Sequence, residues 1–310
     1  MQTQSLGILM LLCLFCGCER KHEVPRTVAV SADGTMMVKA LTLNLRYENS
    51  EDRDSRSWAQ RVIGVVRMLR VNEPDVFGVQ EGLHGQVADL RASLPEYGFA
   101  GLGRNDGKRE GEYTGIFFNS GRFEKDEEKS GMIWLSATPE IPGSKTWGNL
   151  ITRIATWVRL VDRSSGQPLW AVNIHLDHLD QTSREKGVRL MVERLMKMNP
   201  NHEPVVWMGD FNAVEGNPAL KFLRGKKSAI PAVYGFGGLV ETFDALHAGE
   251  KIRGTLHFWM SDPNRQLKVD HILISKGGEV LESGIVRSGE PYVSDHFPVT
   301  ARVRFPAVGK

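Results

Sequence analysis

Pro204-Val205-Val206-Trp207-Met208-Gly209-Asp210-Phe211-Asn212 is the stretch on which the reading of this chain turns. Its apolar run predicts a buried strand. A carboxylate follows at Asp210, with a neutral amide two residues on at Asn212. That pair at the end of a buried strand suits a site that activates water. Ser294-Asp295-His296 is its counterpart near the other end of the chain, opening the strand-like run from Phe297 to Val303. An Asp-His pair at the lip of a strand suits metal or proton chemistry.

The layout recurs upstream. Met36 to Arg46 alternates and predicts a strand ending near Asn44; Asp75 to Glu81 predicts another, ending on a carboxylate. Between them Trp58, Val62, Val65, Val66 and Leu69 fall at helical spacing, and Pro74 stops that helix. Val87, Leu90 and Leu94 indicate a further helix, and Gly115 to Asn119 a short buried strand. The charge run Glu124 to Lys129 reads as a solvated connection. Arg153 to Asp162 and Pro168 to Leu176 read as a hairpin about the turn at 163–167. Thr182 to Met198 reads as a helix, with Thr182 and Glu185 as a capping box. Val269 to Ser275 and Phe297 to Phe305 close the sheet system. With no internal repeat, this alternation favours one α/β or α+β domain.

The 310 residues suffice for one large domain, and 41% apolar with 25% charged residues is ordinary for a globular protein. The net charge of +2 gives no signature of a dedicated nucleic-acid or membrane-surface binder. The three cysteines, Cys13, Cys16 and Cys18, all lie near the N-terminus, which excludes a Cys-rich zinc site or a cysteine nucleophile in the rest of the chain. Leu6 to Gly17 is an apolar run too short to span a bilayer comfortably and fits the core of a signal peptide, although the residues before it lack Lys and Arg. Phe15-Cys16-Gly17-Cys18 resembles a bacterial lipoprotein processing site, with Cys18 as the lipidated residue; a plain secretory cut nearby is the alternative. The expected organisation is a signal over 1–18, a polar tether over 19–35 and a catalytic domain over 36–306. The protein is expected to be exported, with membrane attachment through Cys18 and no protein partner implied.

Asn44, Glu81, His175, Asp210, Asn212, Asp270, Asp295 and His296 stand at or near strand ends. Loops at one rim of a β-core assemble sites in this way. Carboxylates with few histidines suit Mg²⁺ or Mn²⁺ better than zinc, and such ions leave positions for water and phosphate oxygens. Singly, each residue has an ordinary alternative: Asn44 a turn, His175 a core histidine, Asp270 a cap or ion pair.

The ordered set Asn44, Gln80-Glu81, Asn173-Ile174-His175-Leu176-Asp177-His178, Gly209-Asp210-Phe211-Asn212, Val269-Asp270-His271-Ile272-Leu273 and Ser294-Asp295-His296 resembles the endonuclease/exonuclease/phosphatase superfamily, from about Val38 to Phe305. The resemblance implies a four-layer sandwich, two mixed sheets face to face with helices outside and the site at one rim. It implies Glu81 as principal metal ligand, with Asn44 contacting metal water or phosphate and Asp295 by the metal or a second metal. It further implies Asp210 and Asn212 on the attacking water, Asp270 and His296 as a dyad polarising the phosphoryl oxygen, and His175 on phosphate or leaving group.

Arg153, Arg184 and Tyr113 are candidate substrate contacts, and Thr255 to Trp259 either lines the substrate side or packs. Arg104 reads as a solvated surface residue, and His84 and His202 as surface histidines. Asp177 and His178 read as loop-shaping. The first expectation is a metal-dependent phosphodiesterase of nuclease type. The alternative is action on a sugar phosphate, inositol phosphate or lipid headgroup. A non-catalytic surface binding protein ranks last, because every matched position holds a competent residue. Compact basic clusters, which a tight nucleic-acid binder needs, are confined to Lys221-Arg224-Lys226-Lys227 and Lys108-Arg109.

Overall fold

The computed structural model describes residues 34–287 and 290–307. The expected signal, the expected lipidation site Cys18 and all but the end of the expected tether lie outside the described residues. The elements run β1 (Met36–Asn44), α1 (Trp58–Asn72), β2 (Val76–Gly82), α2 (His84–Ser93), β3 (Tyr97–Ala100), β4 (Tyr113–Asn119), β5 (Phe123–Trp134), β6 (Ile154–Asp162) and β7 (Pro168–His175). They continue α3 (Gln181–Met198), β8 (Val205–Asp210), α4 (Pro218–Leu223), β9 (Leu239–Glu241), α5 (Thr242–Leu246), β10 (Asp270–Ser275), β11 (Glu279–Ile285) and β12 (Val299–Phe305).

Two six-stranded sheets form, ordered β11-β12-β1-β2-β4-β3 and β5-β6-β7-β8-β10-β9. Each is mixed: β1 runs parallel to β2 and β7 to β8, and the other pairings are antiparallel. Alternation along the strands divides the apolar residues into three cores. Val38, Ala40, Leu169, Ala171, Val206, Met208, Ile272 and Ile274 fill the space between the sheets. Leu41, Leu43, Phe77 and Val79 turn outward to Val65, Leu69, Val87 and Leu90 of α1 and α2. Val172, Ile174 and Trp207 turn outward to Val188, Met191 and Leu195 of α3 and to Leu220 of α4. The result is the four-layer sandwich of helices, sheet, sheet and helices.

Gly78 lets the sheets approach: a Cβ there would stand 2.8 Å from the Asn173 side chain. Asn173 in turn donates to the Val79 and Gly115 carbonyls, and Gln80 donates to Asn173 and Thr42, so the polar groups between the sheets are largely paired.

Two readings need correction, and some elements went unread. Glu124 to Lys129 is part of the edge strand β5, not a connection; a register shift between Asp126 and Gly131 carries the charges along an exposed edge, where they discourage further pairing. The α3 cap is Asp180, whose side chain accepts from Ser183 N–H at 2.5 Å, in place of Thr182. The strands β3, β9 and β11 and the helices α4 and α5 are too short or too weakly patterned to stand out in the sequence.

Candidate active site

Strand register gathers the polar groups. His175 lies opposite Asp210 across β7 and β8, and Asp210 opposite Asp270 across β8 and β10. Asn44, His175, Asp210 and Asp270 keep step with the residues that fill the inter-sheet core, so they emerge together at its mouth. Glu81 does not keep step: alternation would turn it outward with Phe77 and Val79. A register shift between Val79 and Gly82, with Glu81 at φ 62°, re-aims it into the site.

The Asn44 amide binds both carboxylates, donating to Glu81 Oε1 at 2.9 Å and to Asp210 Oδ2 at 3.1 Å. Its own oxygen accepts from Arg46 N–H at 2.9 Å, which leaves Asn44 as a brace for the two carboxylates. Asn212, at φ 45°, donates its N–H to Asp210 Oδ1 at 2.8 Å and its amide to the Leu176 carbonyl at 3.0 Å. Burial pushes Asp210 up to about 7, with the Asp270 charge adding and His296 opposing.

Burial alone would lower His296, but the charge and hydrogen bond of Asp270 (2.8 Å to Nδ1), with Asp295 and Asp210 behind, lift it to about 10. His296 is therefore an imidazolium at neutral pH. Burial and the nearby Arg153 and Arg104 charges hold His175 well below its usual range, so its ring is neutral. His175 Nε2 lies 2.8 Å from Arg153 Nη1 and 3.6 Å from Asp210 Oδ2. Asp295 is buried; burial and Glu81 raise its pKa, while His296 and Arg46 oppose.

Among the described residues, two sets of potential ligand atoms converge, each within 4.8 Å: Glu81, His175 and Asp210, and Asp210, Asp270 and His296. Asp270 Oδ1 is buried without a hydrogen-bond partner. Converging carboxylate oxygens, one of them unsatisfied, fit a hard divalent cation and a phosphoryl oxygen beside it.

Arg153 is buried and meets His178 Nδ1 at 2.9 Å in addition to His175. Arg184 donates to the Asp177 carbonyl at 2.6 Å and to Gln181, shaping the loop after β7 without touching the carboxylates. The Tyr113 ring packs in the core beneath α2, and its hydroxyl bonds the Lys108 carbonyl and exposed His84. Arg104 is not solvated: it forms a bidentate pair with Glu112 at 2.5 and 2.7 Å, close enough to Glu81 and Arg153 for their charges to act on it. In the segment after Gly254, Thr255 Oγ1 accepts from the N–H of Val269 and Asp270, His257 stacks on Phe297, and Phe258 is exposed. Sequence reasoning passed over Glu112; its one signal was a carboxylate eight residues after an arginine across a glycine-rich loop.

Residues 41–296 match the Endonuclease/Exonuclease/phosphatase family. The chain belongs to that family. Among solved structures it is similar to the endonuclease/exonuclease/phosphatase from Bacteroides vulgatus, with 29% identity over 86% of this chain and 98% of that one and a TM-score of 0.78. It is also similar to a mannosyl-6-phosphatase from Bacteroides thetaiotaomicron, with 29% identity over 86% of this chain and 99% of that one and a TM-score of 0.72. TDP2 of D. rerio in complex with single-strand DNA product, at 20% identity over 86% and 98% and a TM-score of 0.65, shares the fold alone. No curated protein matches the chain. Family members act on phosphoesters and commonly use divalent metals, so this is a phosphoester-acting enzyme fold with acidic and histidine groups able to bind a metal.

Proposed function

We propose that this protein is a divalent-metal-dependent phosphatase acting on a small phosphorylated carbohydrate. The observation that carries the reading is how the arginines around the site are engaged. Arg46 and Arg104 are matched by Asp52 and Glu112. Arg61 and Arg184 direct most of their donors to main-chain carbonyls and Gln181. Arg153 instead bonds the histidines His175 and His178 at the site, and its ion pair with Asp177 is long, at 3.8 Å. One such cation suits one phosphoryl group, whereas a nucleic acid needs several along its backbone. The basic cluster Lys221 to Lys227 belongs to α4 and the loop after it, in the outer helix layer, and its Arg224 is paired with Asp244. The likeness to a mannosyl-6-phosphatase supports the same choice over the nuclease-like reading placed first on sequence.

Glu81 and Asp210, with His175 at the edge, would hold the cation, Mg²⁺ or Mn²⁺; when bound it supplies charge neutralisation on the phosphoryl oxygens. Asp210 takes the proton of the attacking water, its Oδ1 fixed by Asn212 and its Oδ2 by Asn44. The His296 imidazolium, oriented through Nδ1 by Asp270, donates to a phosphoryl oxygen. Arg153, oriented by His175, binds another. Export, with attachment through Cys18, is proposed on the sequence pattern alone.

The test is a metal-titrated panel of mannose 6-phosphate, 4-nitrophenyl phosphate, bis-(4-nitrophenyl) phosphate, plasmid DNA and sphingomyelin, with Asp210→Asn as control. Asp210→Asn is expected to lower kcat at least about a hundredfold without loss of fold. Preference for the sugar monoester supports the proposal. Preference for DNA or the diester, or activity surviving in Asp210→Asn, overturns it.

A further inference from the structure

The hydrolytic chemistry makes no use of the Arg104–Glu112 pair, yet much of the local structure is spent on holding it. Both residues sit on the loop between β3 and β4, which is closed by backbone bonds of its own: Arg104 N to Glu112 O, Asn105 N to Glu110 O, and Gly103 N to Lys108 O. Asp106 Oδ1 accepts from Lys108 N and Glu110 N inside it. Trp134 Nε1 donates to the Arg104 carbonyl at 2.6 Å and Tyr113 to that of Lys108 at 3.0 Å, so the loop is pinned from outside as well. Gly111 adopts φ +80° against the Asn105 side chain, where a Cβ would stand 2.6 Å away.

The pair is mostly buried, its side chains 12% and 15% exposed, and it flanks the site on the Glu81 and Arg153 side. Burial and the Glu81 charge push Glu112 up, and Arg104 and Arg153 oppose them. The geometry decides what such a pair can read. Both Nη atoms of Arg104 are committed to the carboxylate, and the carboxylate cancels the guanidinium charge. A second phosphate would find no net attraction there. A hydroxyl would find a fixed carboxylate with free lone pairs to donate to, and a guanidinium with remaining N–H groups to accept from.

We propose that Arg104 and Glu112 form the subsite that recognises hydroxyl groups of the leaving sugar, beside the phosphoryl group held by Arg153. This rests on the phosphatase reading above. The ligand class is a neutral polyol carrying one phosphate, as opposed to a bisphosphate or a polynucleotide. In Glu112→Gln the charge of Arg104 is no longer cancelled, so the same substitution should weaken the sugar and favour a second phosphate.

The experiment is steady-state kinetics of the full chain, Glu112→Gln and Arg104→Lys on mannose 6-phosphate, glucose 1,6-bisphosphate and 4-nitrophenyl phosphate. Loss of one hydroxyl contact predicts a rise in KM for mannose 6-phosphate of about tenfold in both variants. The kcat/KM for 4-nitrophenyl phosphate should change less than that for mannose 6-phosphate in both variants, because that ester lacks the sugar hydroxyls. Glu112→Gln should also shift preference toward the bisphosphate. Equal losses on all three substrates would assign the pair a structural role and overturn the subsite, as would unchanged kinetics. Failure of the unmodified chain on every sugar phosphate would overturn the phosphatase reading itself, and the subsite with it.

Discussion

Glu81 shows how a single residue can be forced into place against its own strand. A left-handed φ at a non-glycine residue costs on the order of 1–3 kcal/mol and persists where the surroundings determine it. Here the Asn44 amide and the Tyr47 N–H both bind its carboxylate. The sequence showed a strand ending on a carboxylate, but a bulge leaves no periodic signal, so the direction of Glu81 was not legible. If Glu81 is a principal ligand, Mg²⁺ should raise the melting temperature of the chain, by about 2.7 kcal/mol of stability at a hundred times its dissociation constant. Glu81→Gln should move the midpoint of that thermal-shift titration to higher Mg²⁺. An unchanged midpoint would remove Glu81 from that role, and the readout does not depend on turnover.

At the scale of elements, α1 does more than cover a sheet. Its apolar stripe was readable from Trp58, Val65 and Leu69, but Arg61 sits on the same buried face. Arg61 donates to four carbonyls: Arg56 at 2.7 Å, Leu45 at 2.6 Å, Val293 at 2.9 Å and Arg46 at 3.0 Å. It thereby ties the turn after Asn44 to the turn before Ser294-Asp295-His296, and Ser294 Oγ adds a bond to the Asn44 carbonyl at 2.7 Å. Spacing rules treat a polar residue on an apolar stripe as noise; a buried arginine there was the missed sign of a clamp. Lysine cannot reproduce the planar fork. Arg61→Lys should lower unfolding free energy by about 2–4 kcal/mol, as buried carbonyls lose charged donors. Denaturant titration reads this directly, and a change under about 0.5 kcal/mol would show that the four bonds contribute little.

Across the whole molecule, the strand ends were legible because each motif closes an apolar run, and the order of motifs carried the fold. What joins them was not legible, because sheet pairing connects residues far apart in the chain. The clearest case lies behind the dyad. Lys268 reaches Glu241 on the three-residue β9 at 2.7 Å, and also His271 Nδ1 at 2.7 Å. Burial holds His271 below its usual range, so the neutral ring accepts from Lys268 and donates through Nε2 to the Ala213 carbonyl at 3.0 Å, one residue past Asn212. Burial would raise Glu241, but the Lys268 ammonium beside it brings it down to about 2, from 4.5 when free. A carboxylate depressed in the folded state stabilises the fold above its unfolded pKa, and that stability is lost as pH falls from 4.5 through 2. The shift corresponds to about 3 kcal/mol at neutral pH. Glu241→Gln should therefore lose about 3 kcal/mol or more at about pH 6, with Lys268 left buried and unpaired. Urea titrations of both chains at about pH 6 and about pH 3 should show that gap narrowing at the lower pH. A gap of the same size at both pH values would mean that the loss comes from packing, and that the buried ion pair does not set the acid stability of this sandwich.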